Sequence, residues 1–358
     1  MKRILISVLM CLALPSGLFA RDTLNVAIAL PFKANSTPSN QAYALYSGAV
    51  MALREEGEDS LEVRAHVFDI SVQKEFPRNE LQEYDIMIGP FNTDEVRELA
   101  AQMPEGKFLI SPIEPACIDL VDTMRIIHVP TLLAIQYNRL AKWVGDDFNP
   151  EDCVAVVHEA MSSTSPLEAV TEKFQNDGIP YTLFSVNSYE DISTMLSDVV
   201  AEEGITRIVL LSDNEEFAKR IIDVAGTVSS PGKVATYALS KLRTFASITT
   251  EAKVAAGVRL LAEYFSDPAN PEVEAFRKNC EELYNCPPSQ FTYHGYDIMK
   301  FFLNMFKRFG KDWANHFGTV SGKGLQSDFR YISYGTGYVN TSLRRIGYSD
   351  SGELERLD

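Results

Sequence analysis

From Leu24 onward, short runs of apolar and β-branched residues alternate with longer segments of helical period, and this alternation is the strongest constraint on the fold. It predicts parallel sheets covered by helices. Strands are expected at 24–30, 61–69, 84–89, 107–111 and 125–129, with helices at 41–56, 73–82 and 92–102 between them. After Pro130 a long amphipathic stretch, 132–148, separates this series from a second one. The second has strands at 153–158, 181–186, 206–211 and 233–237, with helices at 167–176, 189–203 and 215–225. Past Ser247 the pattern changes: a strand at 257–265, helices at 271–284 and 291–309, then strands at 329–333 and 342–348 around Gly335-Thr336-Gly337. Asn92-Thr93-Asp94-Glu95 and Asp213-Asn214-Glu215-Glu216 read as helix caps with acids in the first turn, where they favour the helix dipole.

A length of 358 residues suits two domains, each large enough for its own core. The 33 Lys plus Arg against 49 Asp plus Glu give a net charge of −16, which repels a phosphate backbone and argues against nucleic acid as a partner. Residues 1–20 read as an export signal: Lys2 and Arg3, an apolar run from Ile4 to Leu14, then Pro15-Ser16-Gly17 and Ala20 before Arg21. Cleavage near Ala20 is expected. Lipid anchoring at Cys11 is disfavoured because the bulky pair Leu9-Met10 stands where small residues belong. No later run reaches the ~20 apolar residues that a transmembrane helix needs, so a periplasmic chain without a membrane span is expected.

Cys117, Cys153, Cys280 and Cys286 survive processing, in a compartment where disulfides persist. In a continuous helix, Cys280 and Cys286 would lie about 9 Å apart, too far for a bridge. Pro287-Pro288 ends that helix, and unwinding near Asn285 leaves a Cys280–Cys286 disulfide open. Neither spacing fits a zinc site.

Several chemistries are missing. There is no Gly-x-Ser-x-Gly elbow, and Gly318-Thr319-Val320-Ser321-Gly322-Lys323 is one residue short of a phosphate loop. His158-Glu159 begins like a zinc-protease helix, but no histidine follows at 162. The histidines 66, 128, 158, 294 and 316 stand singly, and Asp69 and Asp297 have no companion carboxylates. No catalytic residue, metal or cofactor is therefore assigned.

The order of several weak motifs is more specific than any one of them. Leu30-Pro31-Phe32, Tyr46-Ser47-Gly48-Ala49, Phe68-Asp69, Ile86-Met87-Ile88-Gly89-Pro90, Leu109-Ile110-Ser111-Pro112 and Tyr293-His294-Gly295-Tyr296-Asp297 succeed one another along nearly all of the mature chain. In this the sequence resembles the type I periplasmic binding proteins, the branched-chain amino-acid receptor group of bacterial ABC transporters. The resemblance implies an α/β fold of two Rossmann-like lobes with parallel sheets, joined by a three-segment hinge. Lobe one would comprise 21–130 plus 258–322, and lobe two 131–257 plus 323–358.

Ligands of such sheets bind beyond the carboxyl ends of the strands. That places Phe32, Asn35, Gly89, Thr93, Ser111, Ser163, Thr164, Ser212 and Asp213 at the cleft, with Tyr264 and Tyr296 as aromatic surface at the hinge. One departure stands out. Where amino-acid receptors carry small hydroxyl residues after the fourth strand, this chain has Glu114-Pro115, and Ser240-Lys241 replaces their acid for the α-amino group. The resemblance implies a receptor that closes on a small-molecule ligand and serves an ABC transporter permease or a sensor. The alternative is an envelope interaction or regulatory protein with a degenerate cleft, as in the lipoprotein activators of penicillin-binding proteins.

Overall fold

The computed structural model describes residues 23–33, 35–55, 61–228, 230 and 232–357. The expected export signal, its cleavage point and Cys11 lie outside the described residues. The first series runs β1 (Thr23–Leu30), α1 (Asn40–Glu55), β2 (Glu62–Asp69), α2 (Arg78–Glu83), β3 (Ile86–Ile88), α3 (Thr93–Gln102), β4 (Leu109–Ser111), α4 (Ile118–Val121) and β5 (Ile126–Thr131). The second runs α5 (Leu133–Asp147), β6 (Cys153–Glu159), α6 (Ser165–Asp177), β7 (Thr182–Val186), α7 (Ile192–Ser197), β8 (Thr206–Leu211), α8 (Glu215–Val228), β9 (Val234–Leu239), α9 (Thr250–Ala255) and β10 (Val258–Ala262). There follow α10 (Pro271–Tyr284), α11 (Gln290–Phe309), α12 (Trp313–His316), β11 (Ser321–Lys323), β12 (Asp328–Tyr334), β13 (Gly337–Asn340), β14 (Arg344–Tyr348) and β15 (Leu354–Arg356).

These strands form two sheets, ordered β11-β12-β13-β5-β4-β3-β1-β2 and β15-β14-β10-β9-β8-β6-β7. Strands β1 to β5 pair in parallel, as do β6 to β10, and strands from the end of the chain complete one edge of each sheet, β13 joining β5 in parallel and β14 joining β10 antiparallel. Both faces of each sheet carry an apolar layer. Leu24, Ile28 and Ile88 pack under α1 and α11, with Ala27, Met87 and Leu109 on the opposite face. In the second sheet Ala155, Ile208 and Leu260 face one layer and Val156, Val209 and Leu261 the other. Strands buried on both faces explain why the sequence shows continuous apolar runs in place of alternation.

The sheet order corrects the expected lobe boundaries. β10, expected to open the second part of lobe one, pairs with β9 (Leu260↔Ala238) and with β14 (Leu260↔Ile346) in the second sheet. β12 and β13, expected in lobe two, belong to the first sheet, where β13 lies parallel to β5 (Tyr338↔Ile127). The chain thus passes between sheets after Thr131, after Ala262 and after Asn340. An apolar five-residue strand satisfies either sheet equally by composition; its pairing partners decide.

The helices follow their capping residues. Asn92 accepts from the Glu95 N–H at 3.0 Å, and Asn214, one residue beyond the expected cap, accepts from the Glu216 N–H at 3.0 Å. Helix α10 starts at Pro271 behind the Asn270 cap and stops where Asn285 turns left-handed at φ 54°. Cys280 is buried on its inner face, and Cys286, past the stop, is exposed. Both thiols are free, so the disulfide left open by the sequence is absent. The unwinding that was needed for it occurs, but it sends the two side chains into different environments.

Candidate functional site: the cleft between the lobes

Two strand ends show how the lobes face each other. Thr131 closes β5 in the first sheet, and Glu263 follows the last residue of β10 in the second. The Thr131 N–H donates to Glu263 Oε1 at 2.6 Å, so the carboxyl ends of the two parallel sets meet at the hinge. Loops leaving both sets therefore open into one cleft, as expected for open α/β sheets. Burial holds the Glu263 carboxyl above its ordinary pKa, with the Thr131 N–H and Gln136 pulling the other way.

The second lobe presents a built polar cluster. Glu159, the last residue of β6, receives hydrogen bonds on Oε1 from Asn214 Nδ2 at 2.8 Å and from the Tyr189 hydroxyl at 3.4 Å. Its Oε2 accepts from the Ser212 hydroxyl at 3.2 Å. Burial and the neighbouring Glu159 carboxylate raise the Tyr189 phenol above its usual pKa. Ser162 donates to the Glu159 carbonyl at 2.7 Å, fixing the loop after β6. Among the described residues Glu159 has no cationic partner, and it borders a cavity of about 430 Å³ with Met161, Asn187, Ser188 and Tyr189. Lys241 pairs with Asp213 at 3.3 Å, in the open.

The first lobe is more closed. Ser111 ends β4 fully buried, and its hydroxyl has no hydrogen-bond partner. The Cys117 thiol, raised in pKa by burial, lies beside the Ser111 and Thr93 hydroxyls. The loop after β4 is held from below: His294 Nε2 donates to the Pro112 carbonyl at 2.7 Å, and His128 Nε2 contacts the Glu114 carbonyl at 3.1 Å. Glu114 itself accepts from the Ala116 N–H at 2.9 Å, capping the turn that follows. Glu114 and Lys241 therefore do not pair with each other; each has a local partner.

The residues singled out by sequence distribute unevenly. Ser212 joins Glu159, and Asp213 stands beside it on the open rim. Ser163 and Thr164 are exposed ahead of α6, and Asn35 is exposed in the loop after β1. Tyr264 sits at the second crossing with its ring edge-on to His294, centroids 5.0 Å apart, beside a hinge cavity of about 320 Å³ shared with Arg243, Gln290 and Tyr293. Phe32 is a core residue, packed on Tyr43 and Tyr46 at 5.1 and 5.8 Å. Gly89 serves its own sheet: at φ +112° a Cβ would lie 2.0 Å from the Ala29 carbonyl oxygen. Tyr296 is away from the hinge surface assigned to it. It is buried against Phe276, and its hydroxyl donates to Glu55 at 2.5 Å inside lobe one.

Glu159 and Asn214 lie in the segments 159–164 and 212–214 that the strand-end rule directs to the cleft, but neither they nor Tyr189 were assigned to the ligand. An acid directly after the apolar run 153–158 is the signal for the first of them, because a strand-ending residue of a parallel sheet stands at the cleft. No group of three or more His, Cys, Asp or Glu among the described residues is placed to hold a metal ion, and no described helix is long and apolar enough to cross a membrane.

No protein-family model matches the chain, and no curated protein matches it. Solved structures do. A branched-chain amino acid ABC transporter protein from Rhodospirillum rubrum is 18% identical, covering 94% of this chain and 100% of its own, with a TM-score of 0.66. An ABC transporter substrate-binding protein from Desulfitobacterium hafniense, in complex with Leu, is 14% identical over 94% of this chain and 100% of its own, at a TM-score of 0.55. The C-domain of LpoA from Haemophilus influenzae, a regulator of PBP1A, is 14% identical over 93% and 100% of the two chains, at 0.57. With two sheets of matching carboxyl ends, three crossings and these neighbours, the chain has the two-lobed α/β fold of the type I periplasmic binding proteins.

Proposed function

We propose that this protein is an exported solute receptor that captures a small ligand carrying a cationic group between its lobes and presents the closed form to an ABC permease or a sensor. The observation that carries this reading is Glu159. It is a half-buried carboxylate at the end of β6, oriented by Asn214, Ser212 and Tyr189, and without a cation of its own among the described residues. Such a group favours an ammonium or guanidinium, which would supply the missing charge at short range. The acid that the sequence lacks at 240–241 is thus available from another strand, and amino acids and other amines return as candidate ligands. Hinge closure would bring the half-buried Thr93 of lobe one over the bound molecule. The solved neighbours described as substrate-binding proteins support the same use of the fold. Export across the inner membrane, as the first twenty residues suggest, puts the receptor in the periplasm.

A thermal-shift series with amines, amino acids and matched neutral amides tests the reading. A ligand that binds only the native state raises Tm by mass action. The expected result is a saturable rise with a cationic compound that disappears in Glu159→Gln. A rise given equally by the neutral amide would contradict the role of Glu159.

The second reading, a regulator of another envelope protein, is favoured by the likeness to the LpoA C-domain and by the closed lobe-one loop, whose Glu114 and Pro112 are tied into the turn and to His294. It predicts no small-molecule response and a stable complex with a second envelope protein.

A further inference from the structure

One large cavity among the described residues lies outside the cleft. It measures about 690 Å³ and is set into the flank of lobe one, between α10, α11 and the short edge strand β11. Its floor is apolar: Phe276, Phe301, Met305, Leu325 and Phe329, all buried. Its rim is charged, and the charges are not equally committed. Glu55 is taken by the Tyr296 hydroxyl at 2.5 Å and by Lys300 at 3.2 Å. Asp297 is taken by three backbone N–H groups, of Leu325, Gln326 and Ser327, at 2.7–2.9 Å. Arg308 and Lys323 remain, and neither makes an ion pair among the described residues.

We infer that this cavity is a second small-molecule site, for an organic anion with an apolar body: a carboxylate or sulfonate whose chain or ring lies on the phenylalanine floor while Arg308 and Lys323 meet the charge. The volume falls within the range of ligand pockets, and an apolar lining with a few polar groups at its rim is their usual composition. Water alone would leave the exposed part of that floor hydrated at a cost that an apolar ligand removes. The exposed acid of the rim, Glu272 in the first turn of α10, disfavours dianions and keeps the selectivity on singly charged ligands. The site does not depend on the cleft or on its occupant.

The full mature chain is titrated with 1-anilinonaphthalene-8-sulfonate, followed by fluorescence, and the dye is displaced with octanoate and, separately, with octylamine. One saturable site per chain is expected, with displacement by octanoate and none by octylamine. The double variant Arg308→Gln/Lys323→Gln is expected to weaken dye binding about tenfold. Ala275→Trp, which fills the cavity from an exposed position on α10, is expected to abolish it at unchanged Tm. Glu159→Gln is expected to leave it intact. The inference is overturned by absence of a saturable site in the wild type, by equal displacement with octylamine, or by binding that survives Ala275→Trp. It is equally overturned if Glu159→Gln abolishes binding, which would place the dye in the cleft.

Discussion

Asp297 and Arg344 hold one turn from two sides. Asp297, on α11, accepts the backbone N–H groups of Leu325, Gln326 and Ser327, while Arg344, at the start of β14, donates to the carbonyls of Gly324, Leu325 and Phe265. The turn belongs to lobe one and Arg344 to the second sheet, so the pair clamps the hinge next to the second crossing. An Asn side chain keeps one acceptor oxygen and points an amide at a backbone donor. Asp297→Asn is therefore expected to cost about 2 kcal/mol, read as a lower urea midpoint at unchanged m. An unchanged midpoint would show that the carboxylate does not hold the turn.

Helices α1 and α11 touch backbone to backbone. A Cβ on Gly48 would stand 1.8 Å from the Thr292 carbonyl oxygen, and one on Gly295 would stand 1.9 Å from that of Leu45. Gly48→Ala and Gly295→Ala must push the helices apart, and each should lower stability by about 2–3 kcal/mol in equilibrium unfolding. The double variant should lose less than the sum, since the first substitution already opens the contact.

Two buried histidines each weaken the fold in acid. His294 is pushed down to about 4 by burial, with the Pro112 carbonyl opposing, and burial lowers His128 as well. Below the ordinary histidine pKa of about 6.5 the unfolded chain takes up protons that the folded chain refuses, so the histidine contribution to stability falls as pH drops from about 6.5 towards 4. Asp297, raised to about 7 by burial, works in the opposite direction over the same window, because there the folded chain keeps a proton that the unfolded chain has lost. The contribution of His294 is isolated by comparing wild type with His294→Gln. The wild type should lose about 3 kcal/mol more than the variant between neutral pH and pH 4. Parallel pH profiles would refute the assignment.

The thiols should divide by environment. Cys280, pushed up to about 11 by burial, and buried Cys117 are expected to resist maleimide at pH 7, while exposed Cys286 reacts. Intact-mass measurement after denaturation without reductant should show no loss of two hydrogens. A 280–286 bridge would appear as that loss and as an unreactive Cys286.

Much of the scaffold was legible because the residues that start and stop its elements act locally. Helix α10 has the bounds expected of it, 271–284, because Asn270 caps its start and Asn285 ends it. The helix expected at 189–203 shrinks to a turn at Tyr189–Asp191 and α7, which stops at Ser197 with Asp198 as its C-cap. β13 was hidden in a glycine-rich stretch read as a turn. Gly337 is there for packing, as a Cβ would lie 2.2 Å from the Ile126 carbonyl oxygen, and the pairing with β5 spans over 200 residues. The strand-end rule made the position of Ser212 legible, directly after β8 and bonded to Glu159. That of Tyr296 was not legible, because helical rotation decides whether a residue on α11 faces the hinge or the flank, and one sequence does not fix that angle.

The solute-receptor reading is tested most directly by mass spectrometry of small molecules released when the protein, purified without denaturation from its native envelope, is unfolded. The account predicts one cationic or zwitterionic compound at close to one per chain, lost when Glu159 is replaced by Gln. Chains that release nothing, from wild type and variant alike, while a second envelope protein copurifies in fixed ratio, would contradict it.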